Sequence, residues 1–470
     1  MPNILSQGIF NLFFGSRRKA FASLPGPVPG ILGNAGDFLG GAKPWNVCAR
    51  YGREYGGVTV VWLGPKPALV LNDPALIEQV LDSRRMEFEK GSLHEQLKPS
   101  ITEHSIFIAN LNGDWATKRQ QDPFVQSWSP RWLAAQVAAM QTVITESVDS
   151  LIASGKTDEL ATVLRRMTFD TFAVAGMGEK TPDSVYEDFL LLAKGADARL
   201  KSNLPLSFVS LPKGFEAARE RFYRFFEERL GALRKSPKPG GMDLMSWMLR
   251  EMPGHDDAWL ARHVALMFYG GVFSACTTLV GVFHQLQKHP DAEARLAAEA
   301  ATFAGGPPTL ERLNDARWVE AVTLEALRLL PAVRIVIRTP VKDVQFAGVT
   351  LPAGTTLMIS NQHLHRDPTH WSNPDSFEPA RWLEGGTARD PIGSGHFFPF
   401  GRGPRMCVAT DFAMVFLRTA VATIAARARV QVESTEPFEE GFFFGVVLPE
   451  GVRTKFAARE GTAGRMTETG

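Results

Sequence analysis

Apolar spacing changes character along this chain. Residues 57–72 carry alternating and β-branched runs, Val58-Thr59-Val60-Val61-Trp62 and Ala68-Leu69-Val70-Leu71, around Gly64-Pro65. Period-two alternation broken by a Gly-Pro turn predicts a β-hairpin. From Ala75 to about Glu320, three- and four-residue periodicity takes over, most clearly over residues 134–151, 215–233 and 259–287. That spacing predicts helices. Strand-like pieces return at residues 341–357, followed by an irregular Pro/Gly-rich stretch from about Pro368 to Cys407. Residues 411–426 restore a helix and residues 442–456 predict a closing β pair. No internal repeat or linker interrupts the pattern. The expected fold is therefore one unit, mainly α with a smaller β region near the start of the chain.

The first residues need separate treatment. Ile9-Phe10-Asn11-Leu12-Phe13-Phe14 is apolar and is followed by Arg17, Arg18 and Lys19. A spanning helix needs roughly 20 apolar residues, so this run is too short. A signal peptide would place its basic residues before the apolar run and a small-residue cleavage site after it. We expect a packed, non-spanning segment over residues 1–24, with room for contact at a membrane surface. Leu24-Pro25-Gly26-Pro27-Val28-Pro29-Gly30 must be extended. Residues 25–458 then form the single domain, and the Gly/Thr-rich residues 459–470 are expected to be a disordered tail.

Composition narrows the function classes. The 470 residues hold 51 Lys and Arg against 50 Asp and Glu, so nothing points to nucleic acid or another polyanion as partner. Only three cysteines occur, Cys48, Cys276 and Cys407, with no paired spacing. That argues for a reducing compartment and against a disulfide framework or zinc site. The expected location is cytoplasmic. Phenylalanine numbers 32 and tyrosine 5, which suits a large apolar interior.

One cysteine stands apart. Cys407 ends Phe400-Gly401-Arg402-Gly403-Pro404-Arg405-Met406-Cys407, just before an apolar helix. A thiolate persists at neutral pH only beside positive charge or a metal. Glycines let backbone N–H groups approach a flat ligand and a sulfur, and Arg405 offers a fork for a carboxylate. The pattern reads as a cysteine presented axially to haem iron, a ligation that favours O–O cleavage. The segment resembles the haem-binding loop of the cytochrome P450 superfamily, with Phe400, Gly401, Gly403, Arg405 and Cys407 at the family spacing. It departs at Ala409, where the family usually has glycine.

The resemblance extends from about Pro25 to Ala458 and implies a P450 fold, with haem between a long central helix and the cysteine loop. Glu325-Ala326-Leu327-Arg328 puts two charges on one helical face. With Arg381 of the later Pro374-to-Trp382 segment, Glu325 and Arg328 match the family's buried structural triad. Trp115 and Arg119, four residues apart, match family positions that bind haem propionates, as do Arg338 and Arg405. Arginine suits carboxylates because it binds them bidentately. His365 reads as structural. The implied cofactor is haem b, iron protoporphyrin IX, with Cys407 as axial thiolate.

The largest departure lies on the distal helix. Counting back from His289-Pro290 aligns Gly270-Gly271-Val272-Phe273-Ser274 with the family's oxygen groove and acid–alcohol pair. Ser274 is then the alcohol, and Phe273 replaces the acid that normally relays protons. A different register makes Thr277 or Thr278 the alcohol. Either water and Ser274 carry the relay, or the enzyme does not activate O2 in the usual way. Phe107, Ile108, Phe273, Phe443 and Phe444 fall at family positions near the substrate and imply an apolar, aromatic-lined pocket.

The function implied is insertion of one atom of O2 into a hydrophobic substrate by hydroxylation or epoxidation. Electrons would come from a separate donor, a ferredoxin with its reductase or a flavin reductase. A peroxide-dependent or rearranging haem-thiolate enzyme is the alternative, motivated by Phe273. A non-catalytic haem sensor is the third reading.

Overall fold

The computed structural model of the chain describes residues 4–38, 43–91, 119–120, 122–201, 209–305, 309–383, 395–433, 438–443 and 445–459. Trp115, Phe107, Ile108 and Phe444, and the expected tail from Glu460 onward, lie outside the described residues. Helices dominate, and their ends follow local chemistry. In Pro130–Ser154 the Ser129 hydroxyl accepts from the Trp132 N–H at 3.3 Å, proline opens the first turn and left-handed Gly155 closes the last. The central helix, Asp257–Lys288, starts on Asp256, whose carboxylate accepts from the Trp259 N–H at 2.7 Å. It stops at His289, and Pro290 opens the next helix.

Among the described residues this is the one helix long and apolar enough to cross a membrane, but 78% of its apolar window is buried inside the protein. Hydrophobic nearly all round, it is the axis of the main core. Gly271 permits a close approach: a Cβ there would stand 2.3 Å from Phe172 of helix Leu160–Met177. Phe172 in turn packs against Phe412 and Phe416 of helix Thr410–Arg427, at ring distances of 5.2 and 5.1 Å. One aromatic side chain thus fixes the central helix against the helix that follows the cysteine loop.

The β region is larger than its sequence signal. Strands Val58–Leu63 and Lys66–Leu71 form the expected hairpin, which Gly64 turns at φ +62°. Lys66–Leu71 also pairs parallel to Thr356–Ser360, which pairs antiparallel to Ile335–Pro340. A two-residue strand, Phe88–Glu89, completes the sheet. Residues 341–357, expected as strand, divide into the short hairpin Val344–Phe346 and Val349–Leu351 and the start of Thr356–Ser360. Near the end, Glu439–Phe443 pairs with Val446–Glu450, while Arg453–Ala458 joins Ala428–Val432 and Thr157–Glu159 in a separate sheet.

Candidate functional site

The cysteine loop is shaped by its glycines and by contacts to distant chain. Gly401 and Gly403 take φ of +77° and +70°. A Cβ on Gly403 would lie 2.2 Å from the Leu81 carbonyl oxygen, so this position tolerates no side chain. The Cys407 N–H donates to the Phe400 carbonyl at 2.8 Å, and the Thr410 hydroxyl donates to the Cys407 carbonyl at 2.8 Å. Ala409 sits at φ −100°, which any L-residue adopts, so the missing glycine costs no backbone strain. Cys407 is solvent-accessible, yet protein crowds its sulfur enough that desolvation raises the thiol pKa. The Ala409 N–H and the charge of Lys90 oppose that rise.

Lys90 belongs to a charged cluster beside the loop. The register Phe88↔Pro340 and Glu89↔Thr339, continued by one residue, faces Lys90 with Arg338. Arg405 donates to Glu89 at 2.7 Å, with side chains only 4% and 10% exposed. Burial first, then the charge of Arg405, lowers the Arg338 pKa to about 10. Lys90 falls well below its ordinary value through burial and the charges of Arg338 and Arg405. Among the described residues, the Arg338 and Arg405 guanidinium groups and the Lys90 amine gather around the Glu89 carboxylate. Two guanidinium forks side by side are suited to anionic ligand groups. Nothing in the local sequence marks Lys90, because its neighbours come from residues some 250 and 315 positions away along the chain.

On the central helix, a Cβ at Gly270 would meet nothing within 4 Å, so this residue faces open space. Ser274, one turn on, donates to the Gly270 and Gly271 carbonyls at 3.1 and 3.2 Å. Thr277 is buried and donates to the Val447 carbonyl at 2.7 Å, and Thr278 back-bonds to the Ser274 carbonyl at 3.1 Å. Ser274 and Thr278 both back-bond within the helix, but Thr278 is buried while Ser274 is half-buried, one turn from the open space at Gly270. Phe273 points into rings: Phe443 at 4.9 Å, Phe189 at 5.6 Å and, over its face, the Arg165 guanidinium at 5.9 Å. Phe443 arrives on the Glu439–Phe443 hairpin, which is anchored by Arg334–Glu440 at 2.6 Å and by the Val447 N–H on the Ala332 carbonyl at 2.9 Å.

A family model described as Cytochrome P450 matches residues 24–454. The chain belongs to the cytochrome P450 family. Among its relatives, cyclooctat-9-en-7-ol 5-monooxygenase of Streptomyces melanosporofaciens is 29% identical over 80% of this chain and 83% of that protein. Pentalenene oxygenase of Streptomyces avermitilis is 26% identical over 93% and 97%. Cytochrome P450 3A5 of Homo sapiens is 24% identical over 85% and 84%. The chain is thus a cytochrome P450 monooxygenase, and the family implies haem held by a cysteine thiolate. The cationic cluster at Lys90, Arg338 and Arg405 beside Cys407 fits the propionate edge of such a group.

The remaining P450 motif residues support the loop from behind. Glu325 and Arg328 are fully buried, joined at 2.8 and 2.9 Å. Glu325 also accepts from Arg381 at 3.1 Å, the Trp382 indole at 2.9 Å and the Glu378 N–H at 2.9 Å. Arg328 donates to the His365 carbonyl at 2.9 Å, and the His365 Nε2 accepts from the Phe398 N–H at 3.1 Å. The Phe398 carbonyl then receives the Gly401 N–H at 2.9 Å. A continuous hydrogen-bonded path therefore runs from the triad into the cysteine loop. His365 is its connector, a link invisible in sequence. Arg119 lies at the edge of the described residues, close enough to Asp122 to oppose the burial that raises this carboxyl to about 6.

Proposed function

We propose that this P450 holds haem b through the Cys407 thiolate and oxygenates a largely hydrocarbon, cyclic substrate. Arg338, Arg405 and Lys90, joined by Trp115 and Arg119, would hold the propionates, with Phe400 and Gly401 shaping the loop around the sulfur. When bound, the haem supplies O2 binding and reductive O–O cleavage, to which a thiolate contributes electron density. Single-domain organisation over residues 25–458, a cytoplasmic location and an external ferredoxin or flavin reductase as electron donor complete the reading.

The observation that carries the substrate assignment is the ring cluster Phe189, Phe273 and Phe443 beside the open helix face at Gly270 and Ser274. Such walls gain from excluding water. Two relatives are named for cyclooctat-9-en-7-ol and pentalenene, ring compounds of this apolar class. Ser274 Oγ holds its proton toward the helix carbonyls and keeps its lone pairs for a water, the geometry of a relay alcohol. The test is optical titration of the ferric holoenzyme with pentalenene and with a carboxylated analogue, followed by reduction under carbon monoxide. A low-to-high-spin change with the hydrocarbon alone, and a thiolate-type CO band, are expected. A spin change driven only by the charged analogue would reject the apolar assignment.

A second reading rests on Phe273 itself. Buried among rings, it carries no proton, and the acid of the usual pair is missing. A peroxide-dependent enzyme has no need of that acid. Turnover with hydrogen peroxide that equals or exceeds turnover with reductant and O2 would favour this reading.

A further inference from the structure

We propose that Glu440 is a positioning residue that sets the specificity of the substrate site, by fixing where the Phe443 ring stands against Phe273. The proposal rests on the reading of those rings as a substrate wall. Two strands of five residues, Glu439–Phe443 and Val446–Glu450, make up the hairpin that carries Phe443, with left-handed Gly445 in the turn. A two-stranded hairpin is marginal by itself, so contacts from outside must decide its position. The second strand has them on its backbone: the Thr277 hydroxyl donates to the Val447 carbonyl, and the Val447 N–H donates to the Ala332 carbonyl. The first strand, which bears the ring, is held through side chains. Phe438 packs against His284 at 4.8 Å just before it, and Glu440 supplies a polar anchor.

Glu440 draws together parts of the chain that lie far apart. Its carboxylate accepts from Arg334 at 2.6 Å and from the Lys43 amine and the Trp45 indole, each at 3.3 Å, although Lys43 is 397 positions away. The Arg334 side chain is 2% exposed, and its guanidinium lies over the Trp45 ring at 5.3 Å. Burial works to raise the Glu440 pKa, but the charges and hydrogen bonds of Arg334 and Lys43 bring it below the ordinary value, so the carboxylate keeps its charge. A buried guanidinium holds such a partner firmly, because release would leave it unpaired. Side chains alternate along a strand, so Glu440 and Phe443, three residues apart, point to opposite faces. One face is clamped and the other presents the ring to the central helix. Arg334 directly precedes strand Ile335–Pro340, which also carries Arg338. The clamp thus references the Phe443 ring to the strand that contributes to the cationic cluster beside Cys407.

The test uses the haem-loaded protein and two nitrogen ligands of ferric haem, imidazole and 4-phenylimidazole, titrated by the shift of the haem band. Imidazole reports on the iron, and the added phenyl ring reports on the wall around it. Phe443→Ala should lower the ratio of phenylimidazole to imidazole affinity about tenfold. Glu440→Gln should lower it about fivefold, and Lys43→Gln, which leaves the Arg334 pair in place, about twofold with an unchanged melting temperature. An unchanged ratio in Phe443→Ala would reject the ring wall and the proposal with it. A ratio lowered by Phe443→Ala but not by Glu440→Gln would overturn the positioning role alone, even if Glu440→Gln melted at a lower temperature. Should Glu440→Gln fail to load haem, Lys43→Gln decides, and an unchanged ratio there also overturns the proposal.

Discussion

Arg405 and Glu89 form a buried ion pair at 2.7 Å, although 316 positions separate them in the chain. The pair ties the cysteine loop to the short strand that presents Lys90. Arg405→Gln should remove a charge-assisted contact to the cofactor and raise the rate of haem transfer to an acceptor protein by about tenfold or more. Glu89→Gln should instead lower fold stability by about 3 kcal/mol, the cost of a buried charge left without its partner. Denaturant unfolding and haem-transfer kinetics separate the two. Equal haem loss in both variants would place Arg405 in a purely structural role.

Glu325 is the single carboxylate of the triad, accepting from Arg328, Arg381, the Trp382 indole and the Glu378 N–H. Glu325→Gln leaves the buried Arg328 guanidinium without its carboxylate, while Arg381 keeps Glu378 at 3.2 Å. Loss of roughly 3–5 kcal/mol is expected, read as a lowered denaturation midpoint with an unchanged slope.

His365 supplies a pH dependence of known sign. Burial, with help from the charges of Arg328 and Arg366, depresses its pKa from 6.5 to about 3. The folded state therefore keeps this ring neutral while the unfolded chain protonates it. Stability falls as pH drops below 6.5 and levels off only near 3. At pH 5 the loss from this residue is about 2 kcal/mol. His365→Asn retains an acceptor for the Phe398 N–H and should flatten this part of the stability profile. Thermal unfolding between neutral pH and pH 5 measures it, and an identical slope in the variant would mean another group sets the acid limb.

Ser274→Ala should leave substrate binding nearly unchanged and uncouple electron consumption from product, because the hydroxyl on the open groove is lost. NADPH or reductant consumed per product formed is the readout, and preserved coupling would remove Ser274 from the relay.

Phe443→Ala opens the ring cluster around Phe273. Truncation of a partly buried aromatic should weaken hydrocarbon binding by about tenfold, seen as a shifted midpoint of the spin-state titration. Thermal stability should change less than in the Glu325 variant, because Phe443 is packed only against the edge of the core.

Local patterns carried much of this protein. The Phe400-to-Cys407 run, the Glu325–Arg328 spacing and the helical period over residues 259–287 are short-range signals, and each dictates backbone geometry or a shared face without help from the fold. The hairpin at Val58–Leu71 was equally legible, since alternation and a Gly-Pro turn are local. What remained hidden depends on pairings of chain segments hundreds of residues apart. Strand Phe88–Glu89 is too short to show a period; its register against Ile335–Pro340 brings Lys90 to Arg338, and the approach of the cysteine loop brings Arg405 to Glu89. The choice among Ser274, Thr277 and Thr278 was likewise tertiary. Three alcohols within five residues look alike in sequence, and only burial separates them: Thr277 and Thr278 are buried, whereas Ser274 is half-buried beside the open space at Gly270. Sequence determines which chemistry the chain can present, because that is written in residue types at short spacing. Tertiary structure decides which charges meet and which hydroxyl stays available, because burial and register are properties of the whole chain.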